Sequence, residues 1–227
     1  MSLSHALLDL FFPPRCPICG RFTKSPPHTP CAKCQAAEFW IPEDRSVCYG
    51  AAFERCVCLG WYQGQLKESI RRFKFLHHPE YAKTYGPLLA QAVMKHLAGK
   101  FDCVTWMPVS PTTLKSRGYD QARLLAEATA ESLHMPAVPL LVKTGYNVPQ
   151  SSLTDGRMRS SNVSGVYTVP LPSEAAGQRV LLIDDILTTG STLNEGARTL
   201  RASGVRSVSA AVVCRTPPRQ SSPKASQ

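Results

Sequence analysis

The chain has no apolar run approaching the roughly 20 residues that a helix needs to cross a bilayer. That absence excludes a helical membrane span. Residues Met1 to Phe12 carry no Lys or Arg, and Asp9 interrupts their short apolar patch, so the stretch does not read as a secretory signal. The expected location is the cytoplasm. Acidic side chains are scarce, 16 against 26 Lys and Arg, giving a formal charge of +10 on 227 residues. The basic excess falls on 61–99 and 151–227. Such a surface suits phosphate-bearing ligands, nucleic acid included, although charge also serves plain solubility. Aromatics make up only 8% of the chain, with no interleaved pattern of the kind that stacks on single strands.

The most informative string runs from Arg179 to Asn194. An apolar β-branched run, Val180 to Ile183, leads into two carboxylates, Asp184 and Asp185. A turn follows, Thr188-Thr189-Gly190-Ser191-Thr192, and then a helical stripe of Leu193, Ala197 and Leu200. A small-residue turn at a helix start gathers N–H groups and hydroxyls where the dipole favours a phosphate. Gly190 lets backbone approach a ligand closely, and ionised carboxylates accept hydrogen bonds from vicinal ribose hydroxyls. Asp, Thr and Ser also cap helices with no ligand present. A flavodoxin phosphate loop has a similar turn but lacks the preceding acid pair, and a Walker A site would need Gly-Lys-Ser/Thr after the turn. The string resembles the signature of the type I phosphoribosyltransferases. That resemblance implies that Asp184 and Asp185 hold the ribose hydroxyls of 5-phosphoribosyl-1-pyrophosphate and that Thr188 to Thr192 hold its 5′-phosphate.

Nine cysteines in a cytoplasmic chain point to metal more than to disulfides. Cys16, Cys19, Cys31 and Cys34 form two C-x2-C knuckles, whose four thiolates suit a closed structural zinc site. The surrounding prolines leave little core, so metal would largely drive folding there. Redox and iron–sulfur readings fit this pattern less well. Cys48, Cys56 and Cys58 could be remnants of a second knuckle pair, but they are irregularly spaced and only three, and read as strand residues. Cys103 and Cys214 read as small buried hydrophobes.

Between these motifs, Leu66, Ile70 and Phe73 make a helical stripe with a basic face of Lys67, Arg71, Arg72 and Lys74. That face is either a solvated surface or one turned to pyrophosphate or an acidic partner. A helix is expected over 80–97 and a buried strand over 103–110. A loop from Ser110 to Gln121 follows, then a helix over 122–133 and strands over 137–142 and 207–213. The loop after the first buried strand is the candidate pyrophosphate site, with Ser110, Lys115 and Arg117. Thr144 to Gly165, carrying Arg159, reads as a lid. The tail from Thr216 reads as disordered.

Taken together, the knuckles, Tyr62-x-Gly64-x-Leu66-Lys67, Lys74, Pro108-Val109-Ser110, Arg117-Gly118-Tyr119-Asp120-Gln121-Ala122, Gln150-x2-Leu153, Arg159, Asn162-Val163 and the acid pair are similar to the ComF family (ComFC/GntX-like). The resemblance implies an α/β fold: a type I phosphoribosyltransferase-like, mainly parallel sheet flanked by helices, with a small N-terminal four-cysteine zinc-ribbon-like module. The expected division is a zinc module and linker over 1–60, the phosphoribosyltransferase-like domain over 61–215, and the tail over 216–227. It further implies Mg2+ bound with phosphoribosyl pyrophosphate and a link to competence and DNA uptake. An adaptor that binds single-stranded DNA or a DNA-processing partner without turnover is the alternative. Asp120 stands where the family more often has Asn. The family's second cysteine cluster is degenerate here, which suggests one metal.

Overall fold

The computed structural model describes residues 13–97, 101–144 and 166–218. Its main sheet has five strands in the order β1-β2-β7-β6-β3. These are β1 (Val47–Cys48), β2 (Cys56–Trp61), β3 (Cys103–Trp106), β6 (Arg179–Leu187) and β7 (Ser207–Arg215). From β2 across to β3 all neighbours run parallel, and only β1 is antiparallel. A separate antiparallel pair joins β4 (Val142–Lys143) to β5 (Tyr167–Thr168), and one turn of helix, α6 (Pro172–Ala175), follows it.

Near-continuous apolar sequence in β3, β6 and β7 follows from burial on both faces. One face carries α2 (Gly64–Phe75), α3 (Ala82–His96) and α5 (Gln121–Leu133), whose Leu66, Ile70, Phe73, Tyr85, Leu89 and Leu125 pack on Val104, Leu181, Ile183 and Ala211. The other face carries α7 (Ser191–Ala202), where Leu193, Ala197 and Leu200 pack on Val180, Leu182, Val208 and Val212. Helices α3 and α5 cross closely at Gly86, where a Cβ would stand 2.4 Å from that of Ala128.

Two expected elements differ. Residues 111–117, read as loop, form a short helix α4 (Pro111–Arg117). Ser110 caps it by accepting the Thr113 N–H, Pro111 supplies a preset φ, and Gly118 at φ 84° ends it. The expected strand over 137–142 is reduced to a bridge at Ala137 to Val104, with β4 beginning only at Val142. Pro136 and Pro139 remove the donors that a longer ladder would need.

The N-terminal knuckles sit on this body rather than apart from it. Ile18 is fully buried in the α2/α3/α5 layer. Ser69 Oγ donates to Pro17 O at 2.7 Å, and Arg72 Nη2 donates to Ile18 O at 2.5 Å. The second knuckle itself opens α1 (Ala32–Gln35), which has Cys31 as its N-cap residue and buries Cys34.

Candidate functional site

Strand β6 does not stop at the acid pair; it continues to Leu187. Leu181 and Ile183 face the α2 layer, and Ile186 joins them there, while Leu182 and Leu187 face α7. The two-residue alternation therefore shifts phase across Asp184 and Asp185. Both carboxylates are buried at the carboxyl end of the strand, the end at which open α/β sheets hold ligands. Asp184 Oδ1 accepts the Asp185 N–H at 2.8 Å. Burial, and then the charge of Asp185 beside it, pushes the Asp184 carboxyl well above its ordinary range.

Asp185 has a counter-ion. Lys74 Nζ at the end of α2 lies 2.8 Å from its Oδ2, an atom with no aligned hydrogen bond among the described residues. The contact is thus an ion pair governed by charge. Of the basic face on α2, Lys67 and Arg71 are exposed, whereas Arg72 and Lys74 turn inward.

The turn after β6 is built as its residues demand. Gly190 precedes α7 at φ 80° and ψ 0°, a conformation that disfavours side chains. The hydroxyls of Thr188, Thr189, Ser191 and Thr192 stand exposed around it, with Thr189 Oγ1 and Ser191 Oγ 3.0 Å apart. Asn194 locks the turn, donating from Nδ2 to Gly190 O at 3.0 Å while its Oδ1 accepts the Ala52 N–H at 2.8 Å. A cavity of about 310 Å³ opens here, lined by Thr188, Thr189 and Gly190 with Tyr49, Phe53 and Arg215 among others.

The β3–α5 connection lies beside the acids. Asp120 accepts N–H bonds from Val109, Ala122 and Arg123, and burial raises its pKa, with the charge of Asp185 adding to the effect. Three donors onto both carboxylate oxygens account for Asp at this position, since an Asn NH2 could not accept one of them. Tyr167 of β5 is pushed up to about 12 by burial and by Asp184. The three expected pyrophosphate contacts are differently engaged. Ser110 caps α4, Arg117 lies over the Phe75 ring and contacts Gln121, and Lys115 is exposed. Arg159 and the lid over 145–165 fall outside the described residues, as do positions 219–227 of the tail.

The sequence reading gives Asn194 no role and names Lys74 only as part of a basic stripe and of the family resemblance, without its partner Asp185. Lys74 follows a buried Phe, a weak signal for an inward cation. Asn194 carried none beyond lying one turn after Gly190.

The four knuckle thiols converge, with all Sγ atoms within 4.8 Å of one another and Cys19 Sγ 3.9 Å from Cys31 Sγ. The Cys16 Sγ also accepts the Cys31 N–H at 3.3 Å. This cluster could hold a metal, and an all-thiolate set is consistent with zinc.

A parallel sheet with helices on both faces, an acid pair at a strand end and a hydroxyl-rich turn opening the next helix define a type I phosphoribosyltransferase-like fold. Residues 120–226 match the phosphoribosyl transferase domain family. Over most of its length the chain resembles competence protein ComFC of Bacillus subtilis, at 27% identity over 83% of this chain and 72% of that one. It likewise resembles DNA utilization protein YhgH of Escherichia coli K12, at 26% identity over 88% of this chain and 90% of that one. Among solved structures, an allosteric regulatory enzyme of purine biosynthesis overlaps with TM-score 0.45 and 19% identity, over 62% of this chain and 29% of that one.

Proposed function

We propose that the carboxyl end of the sheet binds 5-phosphoribosyl-1-pyrophosphate. The observation that carries this reading is the continuity of buried acid pair, αL glycine and open hydroxyl turn at the start of α7. In it, Asp184 and Asp185 accept from the ribose hydroxyls, and Thr188, Thr189, Gly190, Ser191 and Thr192 hold the 5′-phosphate. Lys115 and Arg117, with Ser110 and Arg159, attend the pyrophosphate, and Lys74 pairs with the buried Asp185. Hard carboxylate oxygens are the donor type that suits Mg2+ as a companion ion to the ligand. When bound, the ion would neutralise charge on pyrophosphate.

Turnover at such a site would be displacement at the anomeric carbon. A nitrogen acceptor forms the new bond and loses a proton, while the bond to pyrophosphate breaks and takes its electron pair with it. Cationic character at the anomeric carbon would be met by the Asp184 and Asp185 carboxylates. The residues do not select an acceptor.

Calorimetric titration with phosphoribosyl pyrophosphate and Mg2+ tests the reading. Micromolar binding by wild type, lost in Asp184→Asn/Asp185→Asn, is the expected result. No binding by folded wild type would sink it.

Relatives named for competence and DNA utilization prompt a second reading: we infer a cytoplasmic adaptor of DNA uptake that uses the pocket without turnover and engages single-stranded DNA or a DNA-processing partner. The +10 charge favours it. Binding to single-stranded DNA that weakens steeply with salt and survives the acid-pair substitutions would support it.

A further inference from the structure

Of the five cysteines outside the knuckles, three come together. Cys48 in β1 stands opposite Cys56 in β2 in the antiparallel register. Cys58 follows two residues later on the same face as Cys56, toward α7. Their Sγ atoms all lie within 4.8 Å of one another, and Cys48 and Cys58 are 3.9 Å apart. Thiolates at a zinc–sulfur distance of about 2.3 Å sit ~3.8 Å apart in a tetrahedron and ~4.0 Å apart in a trigonal plane. The observed spacing falls in that range and equals the 3.9 Å between Cys19 and Cys31.

The surroundings suit a charged centre open on one side. Cys56 and Cys58 are buried, while Cys48 is half-buried and lines the cavity beside Thr188, Thr189 and Gly190. Three thiolates on a divalent cation leave one net negative charge. Arg215, at the end of β7, lines the same cavity and acts on Cys48 by its positive charge. Spacing along the chain does not assemble this cluster, because C-x-C on a strand is no knuckle and only sheet pairing brings in Cys48.

We propose that Cys48, Cys56 and Cys58 form a second metal site for a thiophilic divalent cation of the zinc type, with its fourth coordination position reached from the cavity. The site cross-links β1 to β2 and so holds Tyr49 and Phe53 as walls of the cavity next to the phosphate turn.

The test counts metal on the full chain, purified under reductant with zinc and desalted, as wild type, Cys48→Ser and Cys19→Ser/Cys31→Ser. Wild type is expected to retain two zinc ions and each variant one, in line with the two thiol clusters. Cobalt in Cys19→Ser/Cys31→Ser should show thiolate-to-metal charge transfer that disappears when Cys48→Ser is added. One zinc in wild type, unchanged in Cys48→Ser, overturns the proposal, as does a disulfide among these three in reduced, zinc-supplied protein. The wild-type count decides even where a variant fails to fold. None of these readouts depends on phosphoribosyl pyrophosphate binding.

Discussion

A charge on Asp184 would sit in a place that resists it. A carboxyl whose folded pKa is raised above the unfolded value of about 3.9 imposes no penalty below that value. The penalty grows as pH climbs from there toward the folded value. Asp184→Asn keeps the acceptor for the Asp185 N–H and removes the charge. It is expected to stabilise the protein by on the order of 1 kcal/mol at pH 8 and by nothing near pH 4, measured by urea unfolding at each pH. A decrease in stability at pH 8 would contradict the burial argument. Lys74 answers for the neighbouring acid. Lys74→Met leaves Asp185 buried with no counter-ion and should cost roughly 3 kcal/mol. Adding Asp185→Asn should recover most of that loss, and a double-mutant cycle measures the coupling. The sequence showed both acids because they follow an apolar strand. It showed Lys74 as a cation of a stripe and of the family pattern but not its pairing, because the partner lies far along the chain.

At the scale of elements, legibility followed burial. Helices α2, α3, α5 and α7 each bury an apolar face, so their periodicity was visible. Helix α4 buries no residue, leaving periodicity nothing to mark. Its capping chemistry, Ser-Pro at one end and Gly at the other, was present in the sequence all the same. The strand expected over 137–142 went the other way, with apolar residues misleading where prolines deny the ladder its donors. Close helix crossing was equally invisible, since it depends on a single missing side chain. Gly86→Ala places a Cβ against the Ala128 side chain and backbone of α5, neither of which can swing aside. Loss of about 3 kcal/mol in urea unfolding is expected, with the transition still cooperative.

Across the whole molecule, the knuckles act as part of the main core. Ile18 is buried among Leu66, Ile70 and Phe73, and the Pro17 and Ile18 carbonyls accept from Ser69 and Arg72. Those contacts require the knuckle's shape, which thiolate–metal bonds would impose. A strong chelator should therefore lower the thermal midpoint of the entire protein by roughly 10 °C, at about 2–4 °C per kcal/mol for a chain of this size. A separate low-temperature transition with the main midpoint unmoved would show the module to be energetically independent. Fold class was readable from the parallel-strand runs and the signature. Strand order was not, because nothing local announces that β2 will pair with β7.

That pairing bears on how the protein is made. Strand β7, among the last residues described, sits between β2 and β6 and bonds to both. Until it has left the ribosome, the early half of the chain and the β3–β6 pair have no shared sheet. The emerging polypeptide must wait with its apolar strands and reactive thiols uncovered, so its exposure to aggregation and oxidation is set by translation of its own second half.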